Sequence, residues 1–334
     1  MPAERLKEYL ARNGQPTELV ALTADASTRE YFRISWNGSP AVACVYPEPF
    51  VASEQTYLDT TRLFVSTGLP VARILDQDED LGVIVQEDLG DRVLRDVMQQ
   101  VTVARRSRLR NEAISLIARI QAATQTAYDA GSIASTLRFD TAKLDWELQF
   151  FKEHYFETYR TSPLSATDDK HLSDEFHDLA AELEGFASVL CHRDFHAANL
   201  MLDGEDRMRI IDHQDARIGS PSYDLVSLLL DRITDLPPRE WLADKRKLLL
   251  DYRVKLGLPR LDEEEFAYQF RLQTIQRCLK AAGTFSYQSV NRGKIYFIPF
   301  ILPMFRISHR AAESLARFPA IQEILMREIA ESDA

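Results

Sequence analysis

The 334 residues are 45% hydrophobic and 27% charged, an ordinary globular balance in a chain long enough for two domains or two lobes of one unit. The formal net charge of -11 argues against a nucleic-acid partner, whose phosphates require a basic face. Residues 1–10 are too charged for a signal peptide and no run of about 18 apolar residues occurs, so no membrane partner is expected and the chain reads as cytoplasmic.

Leu6, Tyr9 and Leu10 recur at helical spacing and predict a short opening helix ended by Asn13-Gly14. Residues 31–36 and 41–46, joined by Asn37-Gly38, read as an antiparallel hairpin, and Pro47 and Pro49 stop its second strand. Residues 51–67 read as a helix with Tyr57, Leu58, Leu63 and Phe64 on its apolar face. Strands are expected at 73–76 and 82–86, and Glu87-Asp88-Leu89-Gly90 breaks that pattern. A strand-rich lobe thus spans 1–88 and a helical lobe 89–334. Helices are expected over 104–129, 141–160 and 171–185, with a loop at 161–170. Short strands interrupt at 189–190, 200–202 and 208–211, and helix resumes from 222. Cys44, Cys191 and Cys278 lie far apart in the chain and read as packing residues of a reducing compartment, not as disulfides or a zinc site.

The chemistry concentrates in residues 189–224. His192-Arg193-Asp194-Phe195-His196-Ala197-Ala198-Asn199 is followed by two short apolar strands, then by Asp212-His213-Gln214-Asp215, and later by Tyr223-Asp224-Leu225. Phosphoryl transfer from ATP needs a carboxylate near the attacking hydroxyl and oxygen ligands for magnesium. Asp194 suits the first task, as the group that orients the hydroxyl or accepts its proton. Asn199 lies on the same loop and offers a neutral oxygen, and the hairpin after it returns Asp212 as the charged ligand of Mg2+. Singly these residues are bland, since an aspartate after an apolar strand is commonly a turn residue or a helix cap. Their order and spacing carry the reading.

That order resembles the aminoglycoside phosphotransferase and choline kinase branch of the protein-kinase-like fold, whose loop reads His-x-Asp-x-His-x-x-Asn. His196 marks the branch, and the resemblance covers nearly the whole chain. Within it, the chain resembles the bacterial anomeric sugar kinases that phosphorylate N-acetylmuramate and N-acetylglucosamine at C1 in cell-wall recycling. Residues 25–33, 212–216 and 278–283 carry that finer likeness. The resemblance implies an α+β, bilobal fold with a small antiparallel sheet, a large helical lobe and ATP in the cleft. It also implies that Glu87 and Leu89 belong to the interlobe hinge, whose backbone contacts adenine. Without the downstream motif, residues 87–90 would be only an acidic turn.

The turn before the first long strand contains Ser27 and Thr28. In the fold this turn covers the ATP phosphates, and small residues let N–H groups approach them. Ser27 and Thr28 are equally compatible with a plain turn. The strand lysine that usually grips the phosphates is absent from residues 41–46. Arg29 and Arg33 are the nearest cations that can replace it, each also readable as an exposed surface arginine. Glu54, on the helix that follows, can pair with such a cation or be a solvated helix residue.

Supporting roles are expected for four more residues. Asp224 holds the catalytic loop, His192 buttresses it, His196 polarises the loop or holds Asp212, and Asp215 lines the substrate pocket or satisfies backbone groups. Sugar sites mix polar groups with aromatic faces. Asp145, Trp146, Glu147, Phe151, Arg277, Lys280 and Tyr287 are candidates of that kind, with Arg277 and Lys280 suited to an acceptor's carboxylate. The preferred reading is an ATP- and Mg2+-dependent small-molecule kinase acting on the anomeric hydroxyl of an N-acetylated amino sugar. Three alternatives stand beside it. One is a kinase of an aminoglycoside, an amino alcohol or another sugar. The second is a nucleotide-binding pseudokinase scaffold, favoured by the missing lysine. The third is an unrelated helical binding protein.

Overall fold

The computed structural model describes residues 1–22 and 29–333. Helix α1 (Pro2–Arg12) starts on Pro2, where the missing N–H costs nothing, and buries Leu6, Tyr9 and Leu10. Strands β1 (Val20–Leu22), β2 (Glu30–Trp36) and β3 (Ser39–Val45) follow. Asn37 and Gly38 turn β2 into β3 with φ of 51° and 78°, the left-handed pair that a two-residue hairpin needs. Then come α2 (Thr56–Ser66), β4 (Ile74–Asp78), β5 (Val83–Glu87) and α3 (Leu94–Gln100). Helices α4 (Val103–Ala122), α5 (Thr124–Asp129), α6 (Ile133–Thr136) and α7 (Thr141–Lys152) continue, and α7 runs into a π-helical segment, Glu153–Tyr159. Helix α8 (Ala166–Gly185) leads to β6 (Val189–Cys191), β7 (Leu200–Leu202), β8 (Met208–Ile210) and β9 (Arg217–Gly219). The chain closes with α9 (Tyr223–Leu230), α10 (Arg239–Lys255), α11 (Glu263–Asn291), α12 (Ile301–Leu315) and α13 (Pro319–Asp333).

Two compact units result. The first comprises Met1–Arg105, Gln125–Ala134 and Ala197–Ala216, and the second Arg106–Thr124, Ser135–His196 and Arg217–Ala334. The first unit is built on an antiparallel sheet of order β1-β2-β3-β5-β4. Alternation along the strands sends Phe32, Ile34, Trp36, Ala41, Ala43, Val83 and Val85 to one face, against Leu6, Tyr9 and Leu10 of α1. Tyr9 and Trp36 stack there with centroids 5.5 Å apart. Cys44 and Ile84 take the other face, against Tyr57 and Leu58 of α2. The β7–β8 hairpin also belongs to this unit.

The second unit is organised around α11, 29 residues long, which packs against α7, α8, α9, α10 and α12. Its middle is buried on almost every side, including Gln269, Gln273, Gln276 and Arg277. Polar groups in such a place must be hydrogen-bonded, and the partners of Gln273, Gln276 and Arg277 build the site described below. Gly283 lets α7 pass close, because a Cβ there would lie 2.5 Å from Phe151 Cα. Strands β6 and β9 pair in the same unit.

Several elements differ from the sequence expectation. The helix expected over 51–67 begins only at Thr56, with Gln55 as its cap accepting from Tyr57 N at 3.3 Å. Glu54 therefore lies in the turn before α2, not on the helix. The helix expected over 104–129 breaks at Ala123, where the Thr124 hydroxyl donates to Gln121 O at 2.6 Å and accepts from Leu190 N at 2.8 Å. The expected loop at 161–170 is helical from Ala166, because Ser165 caps α8 by accepting from Asp168 N. Strands β1 and β9 are three residues each, too short to show a period. Cys44, Cys191 and Cys278 are buried free thiols. Among the described residues no helix is long and apolar enough to cross a membrane.

Candidate active site

Strand β6 delivers the chain into the loop that carries Asp194. The loop is anchored from below by Asp224, fully buried in the first turn of α9. Its carboxylate accepts from His192 N at 2.7 Å and from Arg193 N at 3.1 Å. Burial pushes the Asp224 carboxyl up to about 7, although the two N–H groups pull the other way. Arg193 has a φ of 83°, a strained value for a non-glycine residue, and the Asp224 clamp bonds its N–H. The His192 ring is buried and meets Phe195 edge to face at 5.5 Å. His196 N donates to Asp194 O at 2.9 Å.

Cations of the second unit converge on the Asp194 carboxylate. Arg277 Nη2 lies 3.2 Å and Lys280 Nζ 3.6 Å from the same oxygen, Oδ1, while Arg193 Nε lies 3.9 Å from Oδ2. Burial by itself would raise the Asp194 carboxyl, but Lys280, Arg277, Arg193 and His196 outweigh it and hold the group well below the usual carboxylate range. Arg277 is fixed by donating from Nε to Ser227 Oγ at 2.9 Å. Behind these groups Gln273 donates to Gln276 at 3.0 Å, and Gln276 donates to Glu147 Oε2 at 2.9 Å. Glu147 is buried and its Oε1 faces Arg193 Nη2 at 3.9 Å. Glu147, Arg277 and Lys280 thus meet at the loop, whereas Phe151 is core and Trp146 is 56% exposed with Lys143 over its ring. Tyr287 packs against Phe150 and His154. Asp145 accepts from Gln149 at 3.3 Å.

The first unit holds the other half of the motif. Pairing of Leu200 with Ile210, extended by Ile211 N donating to Asn199 O at 3.0 Å, returns the chain so that Asn199 Nδ2 lies 3.3 Å from Asp212 Oδ2. Asp212 adopts a φ of 60°. Its Oδ1 accepts from Gln214 at 2.8 Å and faces Arg29 Nη2 at 3.6 Å. The next residue, His213, is fully buried between Tyr57 and Phe64, with centroids at 4.9 and 5.3 Å. Its Nε2 pairs with Thr61 Oγ1 at 2.7 Å and locks the backbone beside Asp212. Sequence reasoning assigned His213 no role, and its one signal is a histidine where β8 runs into the buried interior. Asp215 is half-buried in the turn that follows.

The two candidate arginines of β2 and its start diverge. Arg29 sits beside the rings of Tyr31 and Tyr46, 5.7 Å from each centroid, and faces Asp212. Arg33 binds Asp88 at 2.6 Å and Asp91 at 2.8 Å, so its guanidinium is committed to two carboxylates. The Glu87 side chain is held by Arg209 at 2.9 and 3.2 Å. Leu89 is buried with Ala72, Met201 and Ile211. Ser27 and Thr28 fall outside the described residues. Among the described residues no cluster of three or more His, Cys, Asp or Glu side chains forms a metal site.

A family model described as the phosphotransferase enzyme family matches residues 18–263. The N-acetylmuramate/N-acetylglucosamine kinase of Neisseria meningitidis serogroup B is 30% identical over 317 residues, 92% of this chain and 91% of that protein. The protein of the same description from Pseudomonas aeruginosa is 28% identical over 315 residues, 92% of this chain and 87% of its own. Among solved structures, the ADP-bound aminoglycoside phosphotransferase APH(2'')-Ib aligns with a TM-score of 0.56 at 16% identity, covering 93% of this chain and 99% of that one. This likeness, with the small five-stranded antiparallel sheet and the large helical portion, makes the fold α+β and protein-kinase-like.

Proposed function

The chain belongs to the phosphotransferase enzyme family, and on that premise we propose that it transfers the γ-phosphoryl group of ATP to the anomeric hydroxyl of an N-acetylated amino sugar, N-acetylmuramate or N-acetylglucosamine. The observation that carries this reading is the Asp194 carboxylate, faced by Arg277 and Lys280 at 3.2 and 3.6 Å, on a loop pinned by Asp224, five residues before Asn199. The substrate class follows the relatives' names and their 92% coverage of this chain.

In this reading Asp194 accepts a hydrogen bond from the acceptor hydroxyl and aims its oxygen in line with the γ-phosphorus. A carboxylate held this acidic is a weak base, which suits a loose transition state in which the proton leaves late. Asn199 and Asp212 would hold Mg2+. They fit it, because magnesium takes oxygen ligands and commonly uses only one or two protein groups beside water and phosphate. The Asn199 amide offers Oδ1 by turning over, since its O and N are assigned from the hydrogen-bond network. When bound, the metal would neutralise charge on the transferring group. Arg29 takes the part of the missing strand lysine. It carries fixed positive charge beside Asp212, and its fork suits phosphate oxygens. Ile211, packed on the buried cluster of Ala72, Leu89 and Met201, supplies an apolar surface for adenine, and residues 87–89 supply backbone groups for its edge. The resemblance assigns the ATP phosphates to Ser27 and Thr28, which lie outside the described residues, and Asp215, His192 and His196 support the loop.

The test is phosphorus NMR of the product formed from ATP, Mg2+ and each sugar. Phosphate appearing at C1 supports the reading. Absence of turnover with both sugars sinks the acceptor assignment, and an ADP-release screen of aminoglycosides, amino alcohols and other sugars then finds the acceptor.

A further inference from the structure

Arg277 and Lys280 share a single oxygen of Asp194, at 3.2 and 3.6 Å. Three apart on α11, they lie on one helix face and repel each other. Both are largely buried, with side chains 10% and 15% exposed. Burial and Arg277 together weaken the proton affinity of Lys280, so the pair is costly to maintain. One cation would suffice to keep Asp194 ionised. Donors also outnumber acceptors, because a guanidinium carries five N–H groups and an ammonium three, whereas one carboxylate oxygen takes about two. Glu147 Oε1 adds a buried acceptor without a hydrogen-bond partner among the described residues, in line with Arg193. Asp194, 26% exposed, leaves the cluster open to a ligand.

We propose that Arg277 and Lys280 form a carboxylate-reading site that makes the enzyme prefer an acidic amino sugar, one bearing a carboxylate ether like that of N-acetylmuramate, over its neutral counterpart. The proposal rests on the amino-sugar reading above and deepens it. An acceptor carboxylate bridging the two cations completes their coordination and draws them off Asp194 Oδ1. That oxygen then accepts the acceptor hydroxyl. A neutral sugar reaches an Asp194 whose Oδ1 stays occupied, and it gains no ion pair. No covalent step is added, since the two cations act by binding and release.

The experiment compares N-acetylmuramate, its methyl ester and N-acetylglucosamine, first for binding by thermal shift and then for turnover with ATP and Mg2+. The wild-type protein is expected to bind the acid more tightly than the ester, and to show a KM for the acid roughly ten- to hundredfold lower, the range for a charge-assisted contact. Lys280→Met should erase that difference mainly through the KM for the acid, and Lys280→Arg should restore most of it. Arg277→Lys gives a second variant that keeps one charge in the buried position. Equal binding and equal KM for acid and ester in the wild-type protein overturn the proposal without any variant. An unchanged acid-to-ester ratio in Lys280→Met also overturns it. Turnover of both sugars without a carboxylate preference leaves the proposed function intact while this inference fails. Carboxylate-dependent binding without phosphorylation supports the site and sinks the proposed reaction instead.

Discussion

Asp194 and Asp212 are both aspartates set against arginine, yet their surroundings are opposites. Asp194 faces Arg277 and Lys280 of the buried middle of α11, whose charges, with those of Arg193 and His196, outweigh the effect of burial. Asp212, 43% exposed, is bordered by the amides of Asn199 and Gln214 at 3.3 and 2.8 Å, with Arg29 at 3.6 Å. In a low-dielectric setting nearby cations act strongly, so Asp194 is tuned as a hydrogen-bond acceptor that never protonates near neutral pH. Neutral amides leave a solvent-reaching carboxylate with lone pairs for an external cation. Two residues of the same type are thus set apart by environment, which is what the proposed division between base and metal ligand rests on.

The largest effect separates the two at once. Asp194→Asn should lower kcat by about 10³-fold with native circular dichroism, the middle of the range for losing a positioned base. Activity above a tenth of wild type would remove Asp194 from the chemistry. Asp212→Asn should cost about a hundredfold and raise the Mg2+ concentration needed for half-maximal rate, a shift that Asp194→Asn should not share. Arg29→Ala should raise the KM for ATP roughly tenfold, as expected for one lost charge-assisted phosphate contact. Arg33→Ala should change that KM by less than about twofold, because its guanidinium is already committed to Asp88 and Asp91. Equal effects of the two substitutions would dissolve the distinction drawn between them.

Two smaller effects probe the scaffold beneath Asp194. Gly283→Ala should destabilise by about 1–3 kcal/mol in urea unfolding, since its Cβ would press on the Phe151 backbone. Asp224 shapes the pH dependence. Its folded pKa of about 7 stands above the unfolded value of about 4, so the folded protein binds the extra proton between them. Its contribution is complete below about pH 4 and declines as pH rises through about 7, by at most about 1.4 kcal/mol per pH unit. Asp224→Asn should flatten that slope. Asp194 acts in the opposite sense and only below about pH 4, where the unfolded chain takes up the proton that the folded protein resists, so the two windows stay apart.

Much of the fold was legible because its signals are local. The hairpin turn at Asn37-Gly38, the opening helix and the strand-rich start followed by helices all appear in residue order. Element edges were less so. Helix α2 starts late because Gln55 caps it, and Ala52 N is bonded to Glu79 Oε2 at 2.8 Å, a contact across 27 positions that no periodicity reveals. The break between α4 and α5 depends on Thr124 reaching Leu190, again a distant partner. At the site, Arg29 and Arg33 were equal candidates in sequence, one at the start of the strand and one within it. Only the positions of Asp88, Asp91 and Asp212 separate them.

The sequence by itself determined the reaction class and the order of the loop, because Asp194, Asn199 and Asp212 are set by spacing along one short stretch of chain. It also named Arg277 and Lys280 as cations without saying what they face. The tertiary structure decided their partner. Electrostatic pairing depends on distance in space, and α11 carries these residues back across more than 80 positions to a single oxygen of Asp194.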